Sequence, residues 1–77
     1  MKTPRDLSAQ DLIKILVKYG YQITRQKGSH IRLTKLSLKG EHHVTVLNHN
    51  PLKLGTLSSI INDVCAYLEI NKNDFFS

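Results

Sequence analysis

Residues 21–46 read YQITRQKGSHIRLTKLSLKGEHHVTV, and the alternation inside this stretch decides the fold. Tyr21 and Ile23 alternate with Gln22 and Thr24, Ile31 and Leu33 with Arg32 and Thr34, and Val44 and Val46 with His43 and Thr45. A period of two sends apolar side chains to one face of a strand and polar ones to the other, so three short antiparallel strands are expected. Gly28-Ser29 marks the first turn and Lys39-Gly40-Glu41 the second. A two-residue Gly28-Ser29 turn would pair Lys27 with His30 and bring Ile23 opposite Thr34, mixing apolar and polar side chains on one face. A three-residue connection, Lys27-Gly28-Ser29, or an equivalent bulge, pairs Ile23 with Leu33 and is preferred. On that register His30 and Arg32 point away from Ile31 and Leu33.

Helices flank the strands. Ser8 is placed as an N-cap, Asp11 three residues later completes a capping box, and Leu7 with Leu12 form a hydrophobic staple. Leu12, Ile13, Leu16 and Val17 make one apolar stripe, and Gly20 suits a left-handed C-terminal cap. After the strands, Leu57, Ile60, Ile61, Val64, Cys65 and Leu68 recur at helical spacing, with Thr56 as the expected cap. Asn71-Lys72-Asn73-Asp74 can cap a last short turn that docks Phe75 and Phe76 on the body. The expected architecture is α+β, in the order α-β-β-β-α, with a three-stranded antiparallel sheet and two helices on one face. Residues 1–77 are read as a single domain with a short C-terminal tail over 71–77.

A chain of 77 residues has little apolar material beyond one core. Such a domain buries only about 60% of the surface its unfolded chain exposes, so a partner can contribute to its stability. No segment is long and apolar enough to span a bilayer, and no apolar stretch follows Met1-Lys2-Thr3-Pro4, so a cytoplasmic location is expected. Cys65 is the single cysteine, which excludes an intrachain disulfide and a thiolate metal pair. Eleven Lys and Arg against six Asp and Glu give a net charge of +5. The charge is concentrated: no acid lies between Asp11 and Glu41, where Lys14, Lys18, Arg25, Lys27, Arg32, Lys35 and Lys39 all fall. A field of that sign attracts polyanions, nucleic acid above all, or an acidic protein.

Among the four histidines, His30 stands out. It sits at the rim of the glycine turn in Lys27-Gly28-Ser29-His30, with Arg25, Lys27 and Arg32 near enough to hold a phosphate. Histidine can take and return a proton near neutrality, so it can deprotonate a ribose 2′-OH for attack on the adjacent phosphate while cations stabilise the developing charge. That route needs no metal and no cofactor. His42 and His43 follow the second turn as exposed polar residues and face opposite ways on a strand, which does not make a metal site. The competing reading of Gly28-Ser29-His30 is an ordinary hairpin turn with an exposed histidine.

The run Arg25-Gln26-Lys27-Gly28-Ser29-His30, preceded by Tyr19-Gly20-Tyr21 and followed by Val44-Thr45-Val46, resembles the HicA toxins of bacterial and archaeal toxin–antitoxin modules. His49-Asn50-Pro51-Leu52-Lys53-Leu54-Gly55-Thr56-Leu57, running into Ser58-Ser59-Ile60-Ile61, is similar to the second signature of that family. The resemblance implies a fold like the double-stranded RNA-binding domain and an mRNA-cleaving toxin, with His30 catalytic. Arg25, Lys27, Gly28, Ser29 and Arg32 would contact RNA, with His49 and Lys53 as supporting residues. It also implies a HicB-type antitoxin partner that covers the site, and a toxin expected to be monomeric when free. Many relatives carry a second histidine directly after the first, where this chain has Ile31. The second proton carrier is then Lys27, Ser29 or His49. The alternative function is a non-catalytic double-stranded RNA-binding module, which would read duplex shape without cutting.

Overall fold

The computed structural model of the chain describes residues 7–48 and 52–76. Its elements are α1 (Ala9–Lys18), β1 (Gln22–Lys27), β2 (His30–Ser37), β3 (Gly40–Leu47), α2 (Leu54–Leu68) and a final turn of helix, α3 (Lys72–Phe75). The strands form one antiparallel sheet in the order β1-β2-β3. This is the expected α-β-β-β-α arrangement, with α3 added after it. The molecule is 18 Å in its shortest dimension, the depth of a sheet plus one layer of helices.

Burial divides the sheet as the alternation requires. Ile31, Leu33, Val44 and Val46 enter the core with Leu12 and Leu16 of α1 and Leu57, Ile61 and Val64 of α2, while Arg32, His43 and Thr45 stay exposed on the outer face. Each core residue of this size is worth about 1.5–3 kcal/mol when removed from water. The stripe on α1 is rotated from the expected one. Ala9 is buried, Ile13 and Ile15 flank the core, and Val17 is half exposed because its side of the helix looks past the sheet. Ile23 also remains 51% exposed although it pairs with the buried Leu33, since β1 is an edge strand that the helices do not reach over.

The ends of α1 are closed as its sequence requires. The Ser8 side chain accepts from the Asp11 amide at 3.0 Å. At the other end Gly20 has φ +98°, its amide donates to Val17 O, and the Tyr21 amide donates to Leu16 O, which is the Schellman pattern. Lys35 Nζ reaches across from β2 and donates to Tyr19 O at 2.7 Å, placing a cation where the helix carbonyls end. Helix α2 starts three residues earlier than expected. Its N-cap is Lys53, without a side-chain cap, and Thr56 lies inside the first turn. Asn71 caps α3 through the Asp74 amide, and Phe75 is buried against the Tyr19 ring, with centroids 5.5 Å apart.

The first connection takes the bulge alternative in place of the three-residue turn, and the second turn is shifted from expectation. The first is the two-residue Gly28-Ser29 turn with Lys27 opposite His30, yet Ile23 still meets Leu33, because the register shifts between Ile23 and Arg25. The extra residue is Thr24, so the offset is taken up inside β1 and not in the turn. Gly28 supplies φ +58° at the first central position, the conformation that a type II′ hairpin turn assigns to glycine. The second turn is Leu38-Lys39, and Gly40 opens β3 with φ +105° opposite Ser37.

His42 departs furthest from expectation. It shares the parity of Val44 and Val46 and turns inward, leaving its side chain 15% exposed. Its Nδ1 lies 2.6 Å from the Tyr21 hydroxyl, its Nε2 3.2 Å from Asp63 Oδ2, and its ring stacks on Tyr67 with centroids 4.4 Å apart. The carboxylate only accepts, so Nε2 carries a proton, and Nδ1 of the neutral ring accepts from Tyr21. Tyr67 in turn donates to Gly40 O at 2.8 Å, which ties the β2–β3 hairpin to α2.

Burial, followed by the neighbouring Tyr67, Asp63 and Cys65, pushes the Tyr21 phenol from 10.0 up to about 12. The unfolded phenol ionises first as pH rises, so its contribution to stability is complete below pH 10 and disappears between 10 and about 12. Denaturant titrations of the native chain and of Tyr21→Phe should therefore converge across that window, the native chain losing about 2 kcal/mol more than the variant. Parallel pH profiles would show that Tyr21 is not held neutral by the fold.

Candidate functional site

The outer face of the sheet is built in cross-strand rows. Lys27, His30 and Leu47 form the first, and Arg25, Arg32 and Thr45 the second. These six residues line one open depression. Strand alternation puts His30 and Arg32 on this face by the same parity that buries Ile31 and Leu33. The bulge is what adds Arg25. With Thr24 accommodated as an extra residue, Arg25 faces Arg32 directly while Ile23 keeps its core-facing pair.

His30 is exposed, and none of the three cations around it forms an ion pair among the described residues, so their charges are available to an anion. Leu47 gives the depression an apolar edge that composition alone does not announce. Thr45 and Leu47 were not marked as site residues by the sequence, although the parity of His43, Thr45 and Leu47 carries the signal. The Ser29 carbonyl accepts from the Asn48 amide at 2.7 Å, which extends the β3 pairing past Leu47 and fixes the turn beside His30. Asn48 is anchored again through its side chain, Oδ1 accepting from Gln10 Nε2 at 3.1 Å.

The remaining candidates separate. Gly28 and Ser29 form the turn itself. Lys53 is exposed at the start of α2 and does not line the depression. His49 lies outside the described residues. His43 is on the outer face two rows from His30, whereas His42 belongs to the inner network described above. Of the other cations in the acid-free run, Lys35 caps α1, and Lys39 pairs with Glu69 at 3.0 Å and donates to Tyr67 O. Lys14 and Lys18 are exposed on α1, away from the sheet strands, so on the sheet the positive character left for a ligand is concentrated on Arg25, Lys27 and Arg32. Among the described residues, no three His, Cys, Asp or Glu side chains gather as metal ligands would, and no helix is long and apolar enough to cross a membrane.

In comparison with known families, the family model described as the HicA toxin of bacterial toxin-antitoxin matches residues 9–64. The matched span contains both rows of the depression. Comparisons with curated proteins and with solved structures return no match.

The turn makes a direct prediction. A Cβ at Gly28 would meet no atom within 4 Å, so any cost of substitution lies in the backbone. Gly28→Ala should lower the unfolding free energy by about 1 kcal/mol through its positive φ alone. A loss several times larger would mean that the side chain meets an obstruction the geometry does not contain.

Proposed function

The chain belongs to the HicA toxin family of toxin–antitoxin modules, and on that premise we propose that it is an endoribonuclease that cleaves mRNA without a metal, with His30 as general acid or base. The observation that supports this most is the exposed His30 ring in an open depression that Arg25, Lys27 and Arg32 also line. In the reaction His30 takes the proton of a ribose 2′-OH, the 2′ oxygen bonds to the adjacent phosphorus, and the bond to the 5′ oxygen breaks. A cyclic phosphate and a 5′-hydroxyl result. The proton returned to the leaving oxygen comes from Lys27, Ser29 or His49. Lys27 is the direct cross-strand partner of His30. Arg25 and Arg32 hold the phosphate by charge and by fork-shaped donor geometry, which suits a group that gains negative charge as the reaction proceeds. His49 and Lys53 are assigned supporting roles.

The toxin–antitoxin pairing follows from the family, and we assign the partner as a HicB-type antitoxin that covers the His30 face. Acidic groups on it would complement the cations there. Association rates of the two proteins should fall as salt is raised; rates independent of salt would remove the electrostatic part of that assignment.

His30→Ala should lower the cleavage rate on RNA by about 10²–10⁴, the usual worth of general acid–base catalysis. A chelator should leave the unmodified chain active. Undiminished cleavage by the variant would reduce the domain to an RNA binder or move the catalytic role elsewhere, and loss of cleavage with chelator would overturn the metal-free route.

A further inference from the structure

The polar outer face continues beyond His30. A second open depression, lined by Thr24, Arg25, Arg32, Thr34, Glu41 and His43, shares its two arginines with the first. Its other side chains are linked to one another. Thr24 Oγ1 lies 2.9 Å from Thr34 Oγ1, Thr34 Oγ1 lies 2.8 Å from His43 Nδ1, and His43 Nε2 lies 3.2 Å from Glu41 Oε2. The His43 ring is thus held at both nitrogens, although its side chain is 38% exposed. The core does not need this row, because every member lies on the face the helices leave open.

Two hydroxyls and an imidazole ending on a carboxylate make a poor phosphate site, since the carboxylate repels the anion. They suit a nucleoside, whose base edge and ribose hydroxyls both donate and accept. The phosphate belongs instead between Arg25 and Arg32. Side chains on one face of a strand recur at roughly 6.6 Å, so His30, Arg32 and Thr34 mark successive steps over roughly 13 Å of β2. That is the scale of neighbouring groups along one unstacked nucleic-acid strand.

We propose that the Thr24–Thr34–His43 row is a nucleoside-binding subsite that takes the nucleotide next to the scissile one, with the intervening phosphate held by Arg25 and Arg32. The proposal rests on the cleavage reading for His30. It also makes single-stranded RNA the ligand of this face. A duplex turns its base edges toward each other and presents a surface read by shape, which a shallow sheet cannot enter.

Fluorescence anisotropy on His30→Ala protein, with a labelled single-stranded RNA octamer and with the same octamer in a duplex, tests this directly. Adding Thr34→Val, which keeps the branched shape, or His43→Ala should weaken single-strand binding about tenfold, the worth of one or two hydrogen bonds. Neither change should alter the salt dependence, whereas Arg32→Ala should reduce its slope by about one. Binding within twofold of the parent for both variants, or preference for the duplex, overturns the subsite. Cleavage by the unmodified chain is measured separately. If cleavage is absent while the tenfold loss remains, the catalytic reading fails and the row stands as an RNA-binding site.

Discussion

A single register offset in β1 governs the outer face of this protein. The short Gly28-Ser29 turn places Lys27 opposite His30, and the apolar alternation matches Ile23 with Leu33. In a regular two-stranded ladder these pairings are incompatible, since they differ by one residue and each residue changes face. Thr24 resolves the conflict as a bulge. Below it β1 keeps register with the core, and above it the strand brings Lys27 and Arg25 onto the same face as His30 and Arg32. The bulge also leaves Thr24 on that face, against Thr34.

The charge distribution follows a similar division. An acid-free run of cations looks like one basic surface in the sequence, but the fold uses part of it internally. Lys35 closes the carbonyl end of α1, and Lys39 binds Glu69 and the last turn of α2. These are structural duties of cations at helix ends. Arg25, Lys27 and Arg32 differ because they line the depression beside a histidine, a threonine and a leucine and form no ion pair among the described residues. The field is focused by what is missing around them as much as by the count of positive residues.

The sequence made the order of elements legible because each has its own local signal: the Ser8–Asp11 box, the Gly20 cap, the alternation over residues 21–46 and the helical spacing from Leu57. The Ile23–Leu33 pairing could be read from burial, but its realisation could not, since a three-residue turn and a bulge satisfy the same core. His42 was missed although its parity with Val44 and Val46 points inward, because its partners Tyr21, Asp63 and Tyr67 come from distant segments. For the candidate site, Arg25, Lys27, His30 and Arg32 were readable from one short run. Thr45 and Leu47 enter through β3, so only the pairing brings them beside His30. Lys53, taken from the second family signature, does not line the depression, since a signature marks a segment and the pairing of strands decides which of its side chains meet.

A three-stranded sheet covered on one side only has a cost for a chain of this size. Half of its side chains contribute little burial, and Ile23, Leu36 and Leu38 remain exposed. A third layer would add stability but would remove the surface on which the cations, both outer-face histidines and the threonine pair are arranged. On the proposed function that surface has two competing occupants, RNA and antitoxin. Whatever binds it adds to the stability of the folded state in proportion to the logarithm of its concentration over its dissociation constant. A partner covering the Arg25–Arg32 row would therefore do two things at once: exclude the phosphate from the depression and stabilise the domain through the face its own core leaves open.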